Sequence, residues 1–362
     1  MSSLFDTMLR MLPHRAPTGL VAVGNPDRSS PVLLTGNYTV TVQRVRRVLA
    51  GQSVWLLVAD SNGINVWCAS GGGHLTHHDV ISAIRTSGVQ DKVDHRHLIL
   101  PQLCATGVER SRIEDATGWT ATWGPASAED IPAFLDRGEH TARQERSVRF
   151  PLRDRLEMAA MWIGPLVPSL WLVLWPITGA APAAIDAGAV ALIVLALYTL
   201  FPWLPLEALR GFPVYLVLAA AGFGVGAGLM TLTGLLHTGT LLWLAAACVV
   251  GTAIASIDVA GSTPLLASSV NPSDFVVELI PDRCTGTAEC VLVCPREVLV
   301  MDGHARKVQI ARPGNCILCA ACIVQCPTDA LRFRFDDGHV VEPDVIRRTR
   351  MNLLGKRKTV PL

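Results

Sequence analysis

Apolar and polar positions follow three rhythms along the chain. From residue 31 to about residue 135, short apolar runs alternate with stretches of helix length. Residues 54–58 (Val-Trp-Leu-Leu-Val) predict a buried strand. Residues 31–34, 97–100 (ended by Pro101) and 120–123 predict others, and residues 64–67 form a further apolar run. Helices are expected over 40–49, 75–85, 110–116 and 128–135. This alternation predicts an α/β, Rossmann-like domain over residues 31–150 with a mostly parallel sheet. Ligands on such sheets bind beyond the carboxyl ends of the strands. Residues 1–30, rich in Pro, Arg, Ser and Gly, read as a lead-in. They show no apolar core followed by a cleavage site, so no secretory signal is expected.

The second rhythm is continuous. Residues 159–177, 188–206, 213–236 and 238–257 are apolar runs without Lys or Arg, each long enough to cross a bilayer as a helix. They predict a four-helix transmembrane domain over 157–260 and make the lipid bilayer a partner. Arg149, Arg153 and Arg155 precede the first run, and Arg210 lies between the second and third. Positive flanks favour the cytoplasm, which places both termini there in a multi-pass protein of the cytoplasmic membrane. Gly222, Gly224, Gly226 and Gly228 in the third run suggest close helix packing. Asp186 and Asp258 are expected near span ends, within reach of the interface. Half of the residues are apolar, 17% are charged and the net charge is +1. A nucleic-acid partner is excluded for want of a basic field.

The third rhythm is a repeat of cysteines. Seven of the ten fall between Cys284 and Cys326. Cys284, Cys290 and Cys294-Pro295 align, 32 residues on, with Cys316, Cys319, Cys322 and Cys326-Pro327. This is the spacing of an α+β, bacterial-type dicluster ferredoxin, expected over 275–335. In such domains the fourth cysteine of one copy serves the other cluster. One [4Fe-4S] cluster is then held by Cys316, Cys319, Cys322 and Cys294. The other would use Cys284, Cys290 and Cys326, with Thr287 in the place of its fourth thiolate. A hydroxyl is a poor ligand for a soft iron site. That cluster is therefore expected to be [3Fe-4S] or an atypically ligated [4Fe-4S]. Residues 336–362 read as a basic, solvated tail ending in Gly355-Lys356-Arg357-Lys358.

One cysteine stands apart, in Asn65-Val66-Trp67-Cys68-Ala69-Ser70-Gly71-Gly72-Gly73. This stretch resembles the Asn-Val-Trp-Cys-Ala-Ala-Gly-Lys signature of the mercury-methylation corrinoid protein family (HgcA-like). The likeness continues through residues 97–103, 105–108 and 123–125 and into the apolar runs. Residues 275–335 resemble that family's ferredoxin partner (HgcB-like), so the chain reads as a fusion of the two. The resemblance implies a corrinoid-binding domain, with cobalamin as cofactor. It implies Cys68 as the catalytic residue and cobalt ligand, with Thr35, Asn37, Asn65, Val66, Trp67, Ala69 and Gly71 lining the cofactor. The activity implied is a corrinoid-dependent methyltransferase acting on Hg(II), with the ferredoxin reducing the corrinoid. The implied partners are Hg(II) or another methyl acceptor, a methyl-donor protein or methyltetrahydrofolate-type methyltransferase, and a low-potential electron donor.

The sequence departs from the family at Ser70, Gly72 and Thr287, and its tail lacks the partner's C-terminal cysteine pair. These departures keep two alternatives open: a corrinoid iron–sulfur methyl carrier acting on another acceptor, and a membrane-bound ferredoxin without methyl transfer. Three lesser features remain. His74, His77 and His78 offer a metal patch or a solvated helix start. Cys104 is either a relay or a buried thiol. Gly71-Gly72-Gly73 allows close approach of a phosphate or a flat macrocycle.

Overall fold

The structure is a computed structural model that describes residues 12–206, 211–262, 275–352 and 357. It divides into two compact units, one of Met1–Leu12 with Phe150–Pro272, the other of Pro13–Arg149 with Ser273–Leu362.

In the second unit a five-stranded sheet runs in the order β1 (Gly19–Val23), β3 (Val54–Ala59), β2 (Val32–Gly36), β4 (His97–Leu100), β5 (Thr120–Trp123). The last four are parallel, and β1 is an antiparallel edge strand with Gly19 opposite Val58. β1 falls in the stretch expected as lead-in. Its residues are mostly half-buried at the edge, so its apolar signal is weak. β3 is buried along nearly its whole length, as a central parallel strand covered on both faces must be. Alternate residues feed two cores. Leu33, Leu56, Val58 and Ile99 pack under α1 (Thr39–Val48) and Phe134. Val32, Leu34, Leu57, Leu98 and Leu100 pack under α2 (Val66–Gly72), α3 (His77–Thr86) and α4 (Arg110–Thr117). Fully buried Leu56 and Leu57 each contribute about 1.5–3 kcal/mol by burial. The apolar run 64–67 is not a strand. It enters α2, because Asn65 caps a helix there and Val66 and Trp67 bury as its first turn. A short helix α5 (Ile131–Asp136) closes the domain.

The first unit holds four helices long and apolar enough to cross a membrane: α6 (Leu152–Thr178), α7 (Ala180–Leu200), α8 (Gly211–Leu232) and α9 (Thr238–Ser262). α7 begins eight residues before the expected span, taking in Pro182 and Asp186. It is the most buried of the four, and Val190, Val194, Leu197 and Tyr198 anchor one core. Of the four glycines in α8, only Gly222 and Gly226 are closely approached. A Cβ added there would lie 2.5 Å from Ile193 and 2.7 Å from Leu244, whereas Gly224 and Gly228 have nothing within 4 Å. Asp186 is fully buried, and neither carboxylate oxygen has a hydrogen-bond partner among the described residues. Asp258 accepts a hydrogen bond from the Tyr198 hydroxyl.

The cysteine-rich segment belongs to the second unit. β6 (Phe275–Leu279), β9 (Leu331–Phe335) and β10 (Val340–Val341) form an antiparallel sheet, and β7 (Leu299–Met301) pairs with β8 (Val308–Ile310). Helical turns α10 (Glu289–Leu292) and α11 (Ala321–Val324) follow the first cysteines of each repeat copy. Residues expected to begin the basic tail instead complete this domain. β10 pairs with β9, and α12 (Pro343–Arg347) buries Pro343 and Ile346.

Candidate functional site

Asn37, at the end of β2, holds the loop that carries the signature. Its Oδ1 accepts from the Ser61 amide at 2.8 Å, the Gly63 amide at 2.9 Å and the Ser61 hydroxyl at 3.0 Å. Its Nδ2 donates to Asp60 at 2.9 Å. Gly63 turns with φ +69°, a left-handed conformation that suits glycine. Asn65 then accepts from the Cys68 amide at 2.9 Å, the side-chain cap that starts α2. Val66, Trp67, Ala69, Ser70 and Gly71 are buried, Cys68 is half-buried and Asn65 is exposed. The helix thus turns one thiol, beside one amide side chain, toward the surface at the carboxyl end of the sheet.

The residues expected to line a cofactor differ in exposure and in what they bond to. Thr35 is 2% exposed and donates to Gly36 O at 3.3 Å. Asn37 is spent on the loop, Val66, Trp67 and Ala69 belong to the core, and Gly71 is buried. Beneath α2, the Ser70 hydroxyl donates to Cys104 O at 2.6 Å and accepts from Thr106 at 3.1 Å. The departure at Ser70 thus ties α2 to the turn Gln102–Thr106. Gly107 follows because a Cβ there would lie 2.2 Å from Ser70 O. Cys104 is fully buried, and burial pushes its thiol far up, which leaves it a protonated core residue. His77 is held neutral, its pKa lowered to about 4 by burial. Among the described residues no three His, Cys, Asp or Glu side chains converge on a single metal ion, so the three histidines form no preformed site.

The cysteine repeat is symmetric in its backbone. Left-handed residues recur 32 apart: Gly286 and Leu318, Ala288 and Ala320, Glu297 and Asp329. Amides of Val298 and Ala330 point at the sulfurs of Cys294 and Cys326, at 3.3 and 3.2 Å. Cys294 lies within electrostatic reach of Cys316, Cys319 and Cys322, and Cys290 within reach of Cys284, Cys326 and Cys322. One cavity is lined by Cys284, Gly286, Thr287, Cys290, Cys326 and Thr328. Burial pushes the Cys290 and Cys319 thiols up to about 12 and that of Cys316 to about 11. Iron must displace those protons on binding. Soft thiolates, amides aimed at sulfur and an apolar surround fit iron–sulfur clusters.

The ferredoxin-like segment docks on the face of the sheet domain that carries α2. Gln325 Nε2 donates to Ala105 O at 2.8 Å and Val108 O at 2.7 Å, and its Oε1 accepts from the Arg110 amide at 3.2 Å. Glu289 accepts from Trp123 at 3.1 Å and pairs with Arg110 at 3.2 Å. Arg143 makes a two-pronged pair with Glu297 at 2.8 and 2.9 Å. Val293, Ile317, Cys319 and Ala321 share one apolar core with Trp67, Ala69 and Ala105. The C-terminal segment then passes α2. The Met351 amide donates to Gly71 O at 2.7 Å, and Cβ atoms at Gly71 and Gly73 would strike Met351 and Arg350 at 2.8 and 2.4 Å. The glycine run admits the chain's own tail. Arg357, expected in a solvated tail, is 2% exposed, and burial lowers its ionisation only to about 10, so it stays charged at neutral pH. No local sequence signal marks any of these docking residues.

Cys68 thus lies at the carboxyl end of a parallel sheet on which a cysteine-rich, ferredoxin-like segment is docked. Two stretches of the chain resemble known families. Residues 10–135 match the family model described as CO dehydrogenase/acetyl-CoA synthase delta subunit, and residues 283–330 match the 4Fe-4S dicluster domain. Among curated proteins, similarity extends to acetyl-CoA decarbonylase/synthase complex subunit gamma. The Methanopyrus kandleri protein is 36% identical over 127 residues, 34% of this chain and 27% of its own. The Methanocaldococcus jannaschii protein is 38% identical over 125 residues, 34% and 25%, and the Archaeoglobus fulgidus protein 32% identical over 127 residues, 34% and 27%. The aligned stretch spans about a quarter of these relatives. The chain thus carries a corrinoid iron–sulfur-type domain, four helices able to span a membrane, and a dicluster ferredoxin domain.

Proposed function

We propose that the protein is a membrane-anchored, corrinoid-dependent methyl-transfer protein whose own ferredoxin domain keeps its cofactor reduced. The observation that carries this reading is Cys68, half-buried on a capped helix at the carboxyl end of the sheet, with the dicluster domain docked on the same face. Bound cobalamin would supply the organometallic methyl chemistry, as cofactors do. Cys68 would hold the cobalt from one side through its thiolate, a stronger electron donor than an imidazole. Asn65 fixes the backbone amide of Cys68 and so the direction of its side chain. The cysteines of the repeat would hold two clusters, and their attachment to the same chain keeps the electron donor at high effective concentration. Positive flanks before α6 and between α7 and α8 support both termini on the cytoplasmic side.

For the acceptor we propose Hg(II), on the likeness of residues 65–71 to the mercury-methylation signature and on the fused ferredoxin. The curated relatives favour a second reading, delivery of the methyl group to another acceptor within a larger assembly. One anaerobic experiment separates them. The protein is loaded with methylcobalamin, Hg(II) is added, and methylmercury is quantified for wild type and Cys68→Ala. Product that falls by more than ~10-fold in the variant, the least that losing even a residue supporting a metal ligand costs, supports both cofactor and acceptor. Cobalamin bound with a Cys68-dependent spectrum but no methylmercury supports the second reading. A protein that binds no cobalamin would sink both.

A further inference from the structure

Arg357 is the most deeply buried positive charge described in the soluble unit, and no carboxylate pairs with it among the described residues. Its Nη1 donates to Thr349 O at 2.7 Å and Ile346 O at 3.2 Å. Its Nη2 donates to Thr106 O at 2.7 Å and Cys319 O at 3.2 Å, and its Nε has no partner among the described residues. Backbone carbonyls satisfy protons but supply no net charge, and a buried ion without a counter-charge is strongly disfavoured. The negative groups within its reach are the sulfurs of Cys319 and Cys322. As thiols these are neutral, whereas an iron–sulfur cluster on four thiolates is an anion.

We propose that Arg357 is the counter-charge of the cluster held by Cys294, Cys316, Cys319 and Cys322, and that it makes this cluster easier to reduce. The inference rests on the dicluster reading above. Reduction adds one electron from a low-potential donor and no proton, so the cluster gains one negative charge beside a fixed positive one. Net charge and hydrogen bonding are established determinants of cluster potential. The same guanidinium holds Thr106, whose hydroxyl bonds Ser70 on the helix of Cys68. It therefore sits between the electron carrier and the methyl-transfer site. The distal cavity of Cys284, Cys290 and Cys326 has no such residue among those lining it.

The test is an EPR-monitored redox titration of the full-length, cluster-loaded protein with dithionite, using Cys316→Ser to assign the signal. Arg357→Gln should lower the midpoint of the assigned cluster by on the order of 60 mV, a tenfold change in a one-electron equilibrium. The other cluster should not move, and Arg357→Lys should retain most of the wild-type value. Unchanged midpoints in the Gln variant, equal shifts at both clusters, or a Lys variant that behaves like Gln would overturn the proposal. If the Gln variant fails to hold the cluster, Lys decides. A cluster at near wild-type potential supports the charge role, and loss of the cluster in Lys as well reduces Arg357 to packing. Absence of clusters from the wild type would remove the dicluster reading and this inference with it, whereas unmoved potentials remove this inference alone.

Discussion

Thr287 and Cys68 show how much one side chain decides. Thr287 lines the same cavity as Cys284, Cys290 and Cys326, and the repeat aligns it with Cys319. A threonine hydroxyl ionises far less readily than a thiol and suits harder metals, so the iron facing it should be open, missing or oxygen-bound. Iron counting with EPR should therefore show one ordinary four-iron signal and one atypical signal, and Thr287→Cys should convert the second to the ordinary kind. Two ordinary signals in the wild type would refute the assignment. Asn37 carries the opposite lesson. Its sequence position next to the first strand suggests a ligand contact, yet its amide is consumed by Asp60, Ser61 and Gly63. It acts on Cys68 through the loop it braces. That role is invisible in sequence because Asn37 and Ser61 are 24 residues apart.

At the level of elements, periodicity located the parallel strands and the apolar spans but not their edges. β1 escaped because an edge strand is half-exposed, and the start of α7 because Pro182 and Asp186 interrupt its apolar run. The glycines of α8 were legible as packing residues only as a group. The structure divides them by face, since Gly222 and Gly226 lie one turn apart against α7 and α9. Gly222→Leu should therefore destabilise the bundle by about 1–3 kcal/mol through overpacking. Gly224→Leu should stay within about 0.5 kcal/mol, as for a surface change. Thermal unfolding of the two variants in detergent checks this, and equal melting points would contradict it.

Over the whole molecule, two sequence segments separated by the four long apolar helices fold into one compact unit. Gln325 is its main polar rivet, buried and bonded to Ala105, Val108 and Arg110. Gln325→Leu keeps the volume roughly constant but leaves two carbonyls and an amide without partners, at about 1–3 kcal/mol. Hydrogen exchange should rise at the amides of residues 101–110 and 343–351 while the strand amides of β2 and β3 stay protected. Unchanged exchange at the docking face would show that the shared apolar core alone holds it.

The sequence by itself determined the classes of local structure and the chemistry on offer. Strand and helix rhythms, span lengths, the 32-residue repeat and the Cys68 signature are all local patterns, set by burial periodicity and by ligand spacing. Tertiary structure decided which of those residues stay available. Core packing removed Thr35, Trp67 and Cys104 from the surface. The docking of the ferredoxin segment claimed Gly71, Thr106 and Gln325, and it buried Arg357, which the sequence placed in a solvated tail. The physical reason is range. A periodic pattern acts over a few residues, whereas Thr106, bonded by Arg357, and the three partners of Gln325 lie more than 200 residues away in the chain and meet them only when it folds.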